Sequence, residues 1–333
     1  MKNIFKVLSI LLIAVMVLAG CNSAAPATDE PVVDDAQPLR IAIVTPSTIN
    51  DLAFSQSISD AMQVLKADMG DNLEYAYSEN MFVIDDAAAA IRDYAQKGYD
   101  IILAHGSQYG SSVQEIAPDF PDTVFAHGTT VDTFGLSNVY AYEAASDQGG
   151  FVNGVTAALL TKSKIIGVVG PIETGDAKLY IDGFVKGVHS VDPDIDVRVT
   201  YIGSFSDVAL AAEAATTHLS AGADVLTGSA QMVVGAIGKA QEAGAWWFGT
   251  QADQTDFAPD VVVASQVYHW EIILREIIAK RDAGVLGGES FAASLENGGQ
   301  AIHFNTALEY PEGVMDKAQS IIDDIIAGNV ETH

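Results

Sequence analysis

The side chains in this 333-residue sequence best equipped for recognition chemistry are aromatic rings and amide or carboxylate groups placed just after short apolar runs. They are Asp51 and Phe54, Gln108 with Tyr109, Phe205 with Asp207, Gln231, the polar stretch Gly249–Asp256 that contains Asp253 and Gln254, and Trp270. Aromatic faces combined with amide and acid edges suit a flat heterocycle. The ring stacks on the π-faces, and the polar edges read its N–H and carbonyl groups. Any one of these aromatics taken alone reads better as core; the argument rests on the set.

Catalytic signatures are missing. There is no G-x-S-x-G elbow, no H-E-x-x-H, no P-loop and no G-x-G-x-x-G after a strand. The seven histidines are scattered, and none has acids at metal-ligand spacing. His105 and His127 each follow an apolar run and read as polar residues at strand ends. Carboxylates are too abundant for any pair of them to signal general acid–base chemistry. The expectation is a binding protein, not an enzyme, with no cofactor and no metal.

Two sets of alternating strands and helices must position the candidate groups. The first opens with the buried run Leu39–Val44 and continues through strands near Tyr75, Tyr99–Ala104, Thr123–Ala126 and Val139–Tyr142, with helices between them. The second runs from Gly149 through strands at Lys164–Gly170, Val197–Tyr201, Asp224–Thr227 and Trp246–Phe248. Such alternation implies parallel sheets covered on both faces. A weak repeat links the halves. Tyr99–Gly128 and Ala223–Gly249 both run Asp, apolar strand, Gly-Ser, helix, apolar strand, Gly. Two similar lobes facing each other would place the loops after the strands around a cleft, where ligands bind in open α/β sheets. The loop Trp246–Pro259 is expected to join the lobes and line that cleft.

The expected segments are a lipoprotein signal peptide over 1–21, a flexible tether over 22–38, an N-terminal lobe of 39–145 plus about 261–333, and a C-terminal lobe of 146–260. Lys2 and Lys6 precede an apolar run that ends Leu18-Ala19-Gly20-Cys21, which resembles a bacterial lipobox with Cys21 as the lipid anchor. Cys21 is the only cysteine, so no intramolecular disulfide forms. With 44 acidic residues against 16 basic ones and a formal net charge of -28, a basic face for nucleic acid cannot be built.

Four segments in order resemble the basic membrane lipoprotein (PnrA-like) family, substrate-binding lipoproteins of nucleoside- and purine-type ABC importers. They are Ile49–Gln56; Tyr142–Ala144 with Gly149–Gly154; Lys164–Gly170 with Gly183–Gly187 and Tyr201–Asp207; and Gly249–Gln254. The similarity covers about residues 39–305. It implies a type I periplasmic binding fold, in which two doubly wound parallel-sheet lobes joined by three hinge crossovers close on a ligand. Carried over, Asp51 and Phe54 lie on the first lobe's face of the cleft, Phe205 stacks the base and Asp253 binds polar ligand atoms. A Lys that nucleoside-binding members carry is absent from Ala264–Trp270, and Trp270 resembles a branch associated with free purine bases. Gln231 stands where many members have a Gly-rich turn, which narrows the cleft and favours a base over a nucleoside. The resemblance therefore implies an extracytoplasmic, membrane-anchored monomer that hands a purine base or related nucleobase or nucleoside to an ABC permease. A ligand sensor for a membrane receptor, a sugar-binding protein and, more remotely, a secreted nucleoside hydrolase are the alternatives.

Overall fold

The computed structural model describes residues 37–333; the leader, Cys21 and nearly all of the expected tether lie outside the described residues. In the first lobe, strands β1 (Leu39–Val44), β2 (Leu73–Ser78), β3 (Ile101–Ala104), β4 (Val124–Gly128) and β5 (Val139–Ala144) are linked by helices α1 (Phe54–Met69), α2 (Ile84–Gln96) and α3 (Gly110–Ile116). The chain then passes through α4 (Ser146–Leu160) into the second lobe. There β6 (Ile165–Gly170), β7 (Asp196–Tyr201), β8 (Val225–Gly228), β9 (Trp246–Gln251) and β10 (Val262–Tyr268) alternate with α5 (Gly175–Val191), α6 (Val208–Ser220) and α7 (Val233–Ala243). Helix α8 (Trp270–Asp282) and strand β11 (Ser290–Ala293) return to the first lobe, and β12 (Gln300–Phe304) and α9 (Val314–Ile326) return to the second.

Each lobe is built on a six-stranded sheet, ordered β2-β1-β3-β4-β5-β11 and β7-β6-β8-β9-β10-β12. All pairs are parallel except β10 with β12. The two orders superimpose strand for strand if β1–β5 are set on β6–β10, so the repeat seen in the sequence occupies the same place in both sheets. Each order reverses direction beside its first strand, which opens a crevice at the carboxyl ends of the strands. Chain segments cross between the lobes at Ala145, at His269 and over 294–299.

This pairing moves one boundary. The run expected to re-enter the first lobe from about residue 261 is β10, which pairs with β9 in the second sheet. Only α8 and β11 re-enter. The apolar pattern stops at Ala264, but the strand continues through Ser265 and Gln266, both fully buried. The Gln266 side chain is paid for by hydrogen bonds: its Oε1 accepts from Thr250 Oγ1 at 2.6 Å and its Nε2 donates to the Ser146 carbonyl at 3.1 Å. Likewise β9 does not break at Gly249; Gly249, Thr250 and Gln251 stand in register with Ser265, Gln266 and Val267. The loop after β9 therefore connects neighbouring strands of one lobe and does not join the two.

Trp270, Ile273 and Ile277 of α8 pack with Ile58, Met62 and Leu65 of α1 over β1 and β3. In the second lobe α4 and α5 cross at glycines. A Cβ on Gly150 would lie 2.2 Å from the Tyr180 carbonyl oxygen, and one on Gly154 would lie 2.1 Å from that of Phe184. Replacing Gly154 by Ala should therefore lower stability by about 1–3 kcal/mol, despite alanine's better helix propensity. A fall in the urea unfolding midpoint checks this; an unchanged midpoint would mean that the helices separate at little cost.

Candidate functional site

Between the lobes lies a cavity of about 420 Å³, mouth included. Its walls are the segments that follow the strands. The first lobe contributes Pro46 after β1, Gly106, Ser107 and Gln108 after β3, and Thr129 after β4, with Phe54 and Phe82. The second contributes Thr174–Ala177 after β6, Phe205 after β7, Gln231 after β8 and Gln251 at the end of β9.

Phe54 is held rigidly. It lies on the His105 ring with centroids 3.9 Å apart and planes 5° from parallel. His105 stacks in turn on Tyr142 at 5.9 Å. The Phe54 carbonyl accepts from Ser57 Oγ at 2.7 Å and faces His105 Nε2 at 3.2 Å. His105 is fully buried, and loss of solvent drives its pKa down to about 3, so it is neutral. Its Nδ1 lies 2.8 Å from the Tyr142 hydroxyl, which donates, and Nε2–H donates to Phe54. Trp270 completes the support: its Nε1 donates to Ser57 Oγ at 2.8 Å.

Among the described residues, Asp176 is the only ionisable side chain that lines the cavity. It is the second residue of α5 and is 6% exposed. Burial raises its pKa from the ordinary carboxylate value to about 6. Its own backbone N–H, the Tyr268 hydroxyl 3.3 Å from Oδ2 and the Gln251 side chain work against that rise. Gly175, at φ +55°, begins the helix close to the first lobe; a Cβ there would lie 3.7 Å from Thr129. Three other lining residues carry a buried side-chain oxygen with no hydrogen-bond partner among the described residues: Thr129 Oγ1, Gln231 Oε1 and Gln251 Oε1. Thr129 and Gln251 also have φ values of 64° and 77°, and Ala230 beside Gln231 has 74°. Non-glycine residues in that region are strained, and such strain gathers at ligand clamps.

Of the residues singled out from the sequence, Phe54, Gln108, Phe205 and Gln231 come together on this cavity. The other six do not line it: Tyr109 is buried with its hydroxyl donating to the Met81 carbonyl at 2.8 Å, Asp207 caps α6 by accepting from Leu210 N at 3.0 Å, and the remaining four are placed as follows. Asp51 caps α1, accepting the N–H groups of Ala53, Ser55 and Gln56 at 2.9, 3.1 and 3.0 Å. Trp270 is fully buried one layer behind Phe54. Asp253 lies 3.3 Å from His303 Nδ1 and accepts from Thr255 N, and the His303 hydrogen bond leads in pulling its pKa down to about 2. Gln254 is buried; its Oε1 accepts from Trp247 Nε1 at 2.8 Å and its Nε2 donates across the lobes to the Leu52 carbonyl at 3.0 Å. The sequence reading missed Asp176, Thr129 and Thr174. Among the described residues no group of three or more His, Cys, Asp or Glu is arranged to hold a metal ion.

A family model described as ABC transporter substrate-binding protein PnrA-like matches residues 39–327. The chain belongs to this family. It is 29% identical over 232 residues to a purine-binding protein of Brucella abortus, a match covering 70% of this chain and 65% of that relative. It is 27% identical over 353 residues to the ABC transporter nucleoside-binding protein BmpA of Lactococcus lactis, covering 99% and 98% of the two chains. A solved ABC transporter solute-binding protein from Aeropyrum pernix shares the fold, with a TM-score of 0.76 at 17% identity over 88% of this chain and 93% of that one. PnrA-like proteins are substrate-binding proteins.

Because the folded-state pKa of Asp176 lies above its unfolded value, its contribution to stability is fully present below about pH 4 and is lost as pH rises through about 6. Asp176→Asn should therefore stabilise the ligand-free protein at pH 7.5 by about 1–3 kcal/mol and by much less near pH 4.5. Urea unfolding at the two pH values checks this; equal stability at pH 7.5 would mean that the carboxylate is solvated.

Proposed function

We propose that this PnrA-like protein is an extracytoplasmic solute-binding lipoprotein that captures a purine base or a closely related nucleobase or nucleoside and delivers it to an ABC importer. The observation that carries the reading is that Phe54 and Phe205, contributed by different lobes, line one cavity whose remaining wall offers unpartnered oxygens. Two rings suit the faces of a planar heterocycle, and the oxygens suit its edge. The relatives named for purine and nucleoside binding support the same ligand class. A base is favoured over a nucleoside because no lysine among the described residues lines the cavity and Gln231 fills part of it. Trp270 does not line the cavity; it supports Phe54 through Ser57 and through the His105 ring. Cys21 tethers the protein to the membrane through a lipid, and the lobes work as a single monomeric unit.

Protein lacking residues 1–21, unfolded and refolded to strip carried ligand, should be stabilised by purine bases. At about 100 times its dissociation constant a ligand adds roughly 2.7 kcal/mol, seen as a thermal shift. Phe205→Ala should weaken binding by about 1–3 kcal/mol, the range for loss of one base-stacking ring. A shift with sugars alone, or affinity indifferent to Phe205, overturns the heterocycle assignment. In cells, Cys21→Ser should move the protein from the membrane to the soluble fraction; retention at the membrane would exclude the lipid anchor.

A further inference from the structure

We propose that Asp176 decides which ligands the cleft accepts: it takes an N–H of a neutral heterocycle and excludes forms that carry phosphate or carboxylate. This rests on reading the cavity as the ligand cleft. Three observations carry it. Among the described residues, Asp176 is the only ionisable side chain on the cavity wall, and neither lysine nor arginine of that set lines it to receive an anion. The carboxylate is buried, and the donors around it are few: its own peptide N–H, Tyr268 and Gln251. A carboxylate has about four lone-pair sites, so a further donor can be accepted. Finally, Gln251 Oε1, Gln231 Oε1 and Thr129 Oγ1 are buried oxygens of the lining without a hydrogen-bond partner among the described residues. The polar wall is a set of acceptors around one negative charge, and the complementary ligand edge is a set of N–H donors without negative charge.

The raised pKa of Asp176 fits this role, because a group poised near 6 gains most from a donor that stabilises its charged form. The titratable groups that face it are Tyr142 and Glu143 from β5 and Tyr268 from β10. Burial raises both tyrosines, so they stay protonated in the neutral range; Glu143 is also raised and needs a Glu143→Gln background.

The test is calorimetric titration of wild type, Asp176→Asn and Phe205→Ala with adenine, hypoxanthine, their singly N-methylated derivatives and adenosine 5′-monophosphate. Wild type should bind a parent base, should lose about tenfold or more when the N–H facing Asp176 is methylated, and should not bind the nucleotide measurably. Asp176→Asn should weaken the parent base by a similar factor and remove the further loss on methylation, since both changes delete the same hydrogen bond. In the Glu143→Gln background, affinity for the parent base should fall as pH drops into the acid range where Asp176 protonates, and Asp176→Asn should flatten that profile. Independent effects of methylation and Asp176→Asn at every position, a flat pH profile, or nucleotide binding as tight as that of the base each overturn the proposal. If Phe205→Ala still weakens the bases in that case, the heterocycle reading stands without it. If no base binds wild type, both fall.

Discussion

Asp176 is taken out of water with no cation beside it, and the geometry of the site follows from what holds that charge. Removing a carboxylate from solvent costs several kcal/mol unless donors replace the lost hydration. Here the donors are neutral: a peptide N–H at the start of α5, the Tyr268 hydroxyl and the Gln251 side chain. The helix adds its dipole, which favours negative charge in the first turn. These donors leave the group short of full compensation, as its raised pKa records. A salt bridge would have removed the deficit, but it would also have filled the site. The protein holds an under-solvated acceptor instead, in the cavity where a ligand donor complementing it contributes most.

The same charge is wired to the hinge. Tyr268 closes β10 just before the crossover, and its hydroxyl lies 2.6 Å from Ser146 Oγ as well as 3.3 Å from Asp176. Ser146 begins α4 just after the crossover at Ala145. Around it the Gln266 amide donates to the Ser146 carbonyl and to Gln300, and Gln300 Nε2 reaches the Ala145 carbonyl at 2.7 Å. The strands leading into and out of the crossovers are thus joined by amides and hydroxyls rather than ion pairs. Such bonds are directional and short, so the hinge can rotate only by re-aiming them together.

Much of this architecture was legible from apolar runs. The runs in β1, β3, β6 and β8 announced parallel sheets, and the repeat across Tyr99–Gly128 and Ala223–Gly249 announced two like halves. Phe54, Gln108, Phe205 and Gln231 were found because each follows such a run, and chain just past a strand's carboxyl end faces the crevice. Asp176 escaped for a physical reason. An acid in the first turn of a helix is what the dipole alone would favour, and among so many acids nothing local marks the one that is buried. Asp51 misled in the opposite direction, because a cap and a ligand contact ask for the same side chain. The second lobe's boundary was misplaced because the apolar run Val261–Ala264 marks a strand but not the sheet it joins, and it pairs with β9 rather than with the first lobe. The strand β11 is four residues long and pairs with one neighbour, too little to leave a pattern.

Closure and charge burial are coupled through the same atoms. The groups that act on Asp176 come from both lobes: Tyr268 of the second donates to it, while Glu143 of β5 in the first raises its pKa by its charge. Separating the lobes returns Asp176 to water and frees it from that first-lobe neighbour. Burial of the unpaired charge therefore opposes closure in the empty protein, whereas the bond from Gln254 to Leu52 and the approach of Gly175 to Thr129 favour it. A ligand shifts such an equilibrium only by its difference in affinity for the two states. A ring that reaches Phe54 and Phe205 together has that difference, because those side chains are on opposite lobes. A donor on Asp176 adds to it, since the hydrogen bond is worth most where water is excluded. A heterocycle lacking the donor would stack on the rings but leave the penalty in place, so on the proposed reading the cleft discriminates by closing rather than by first contact.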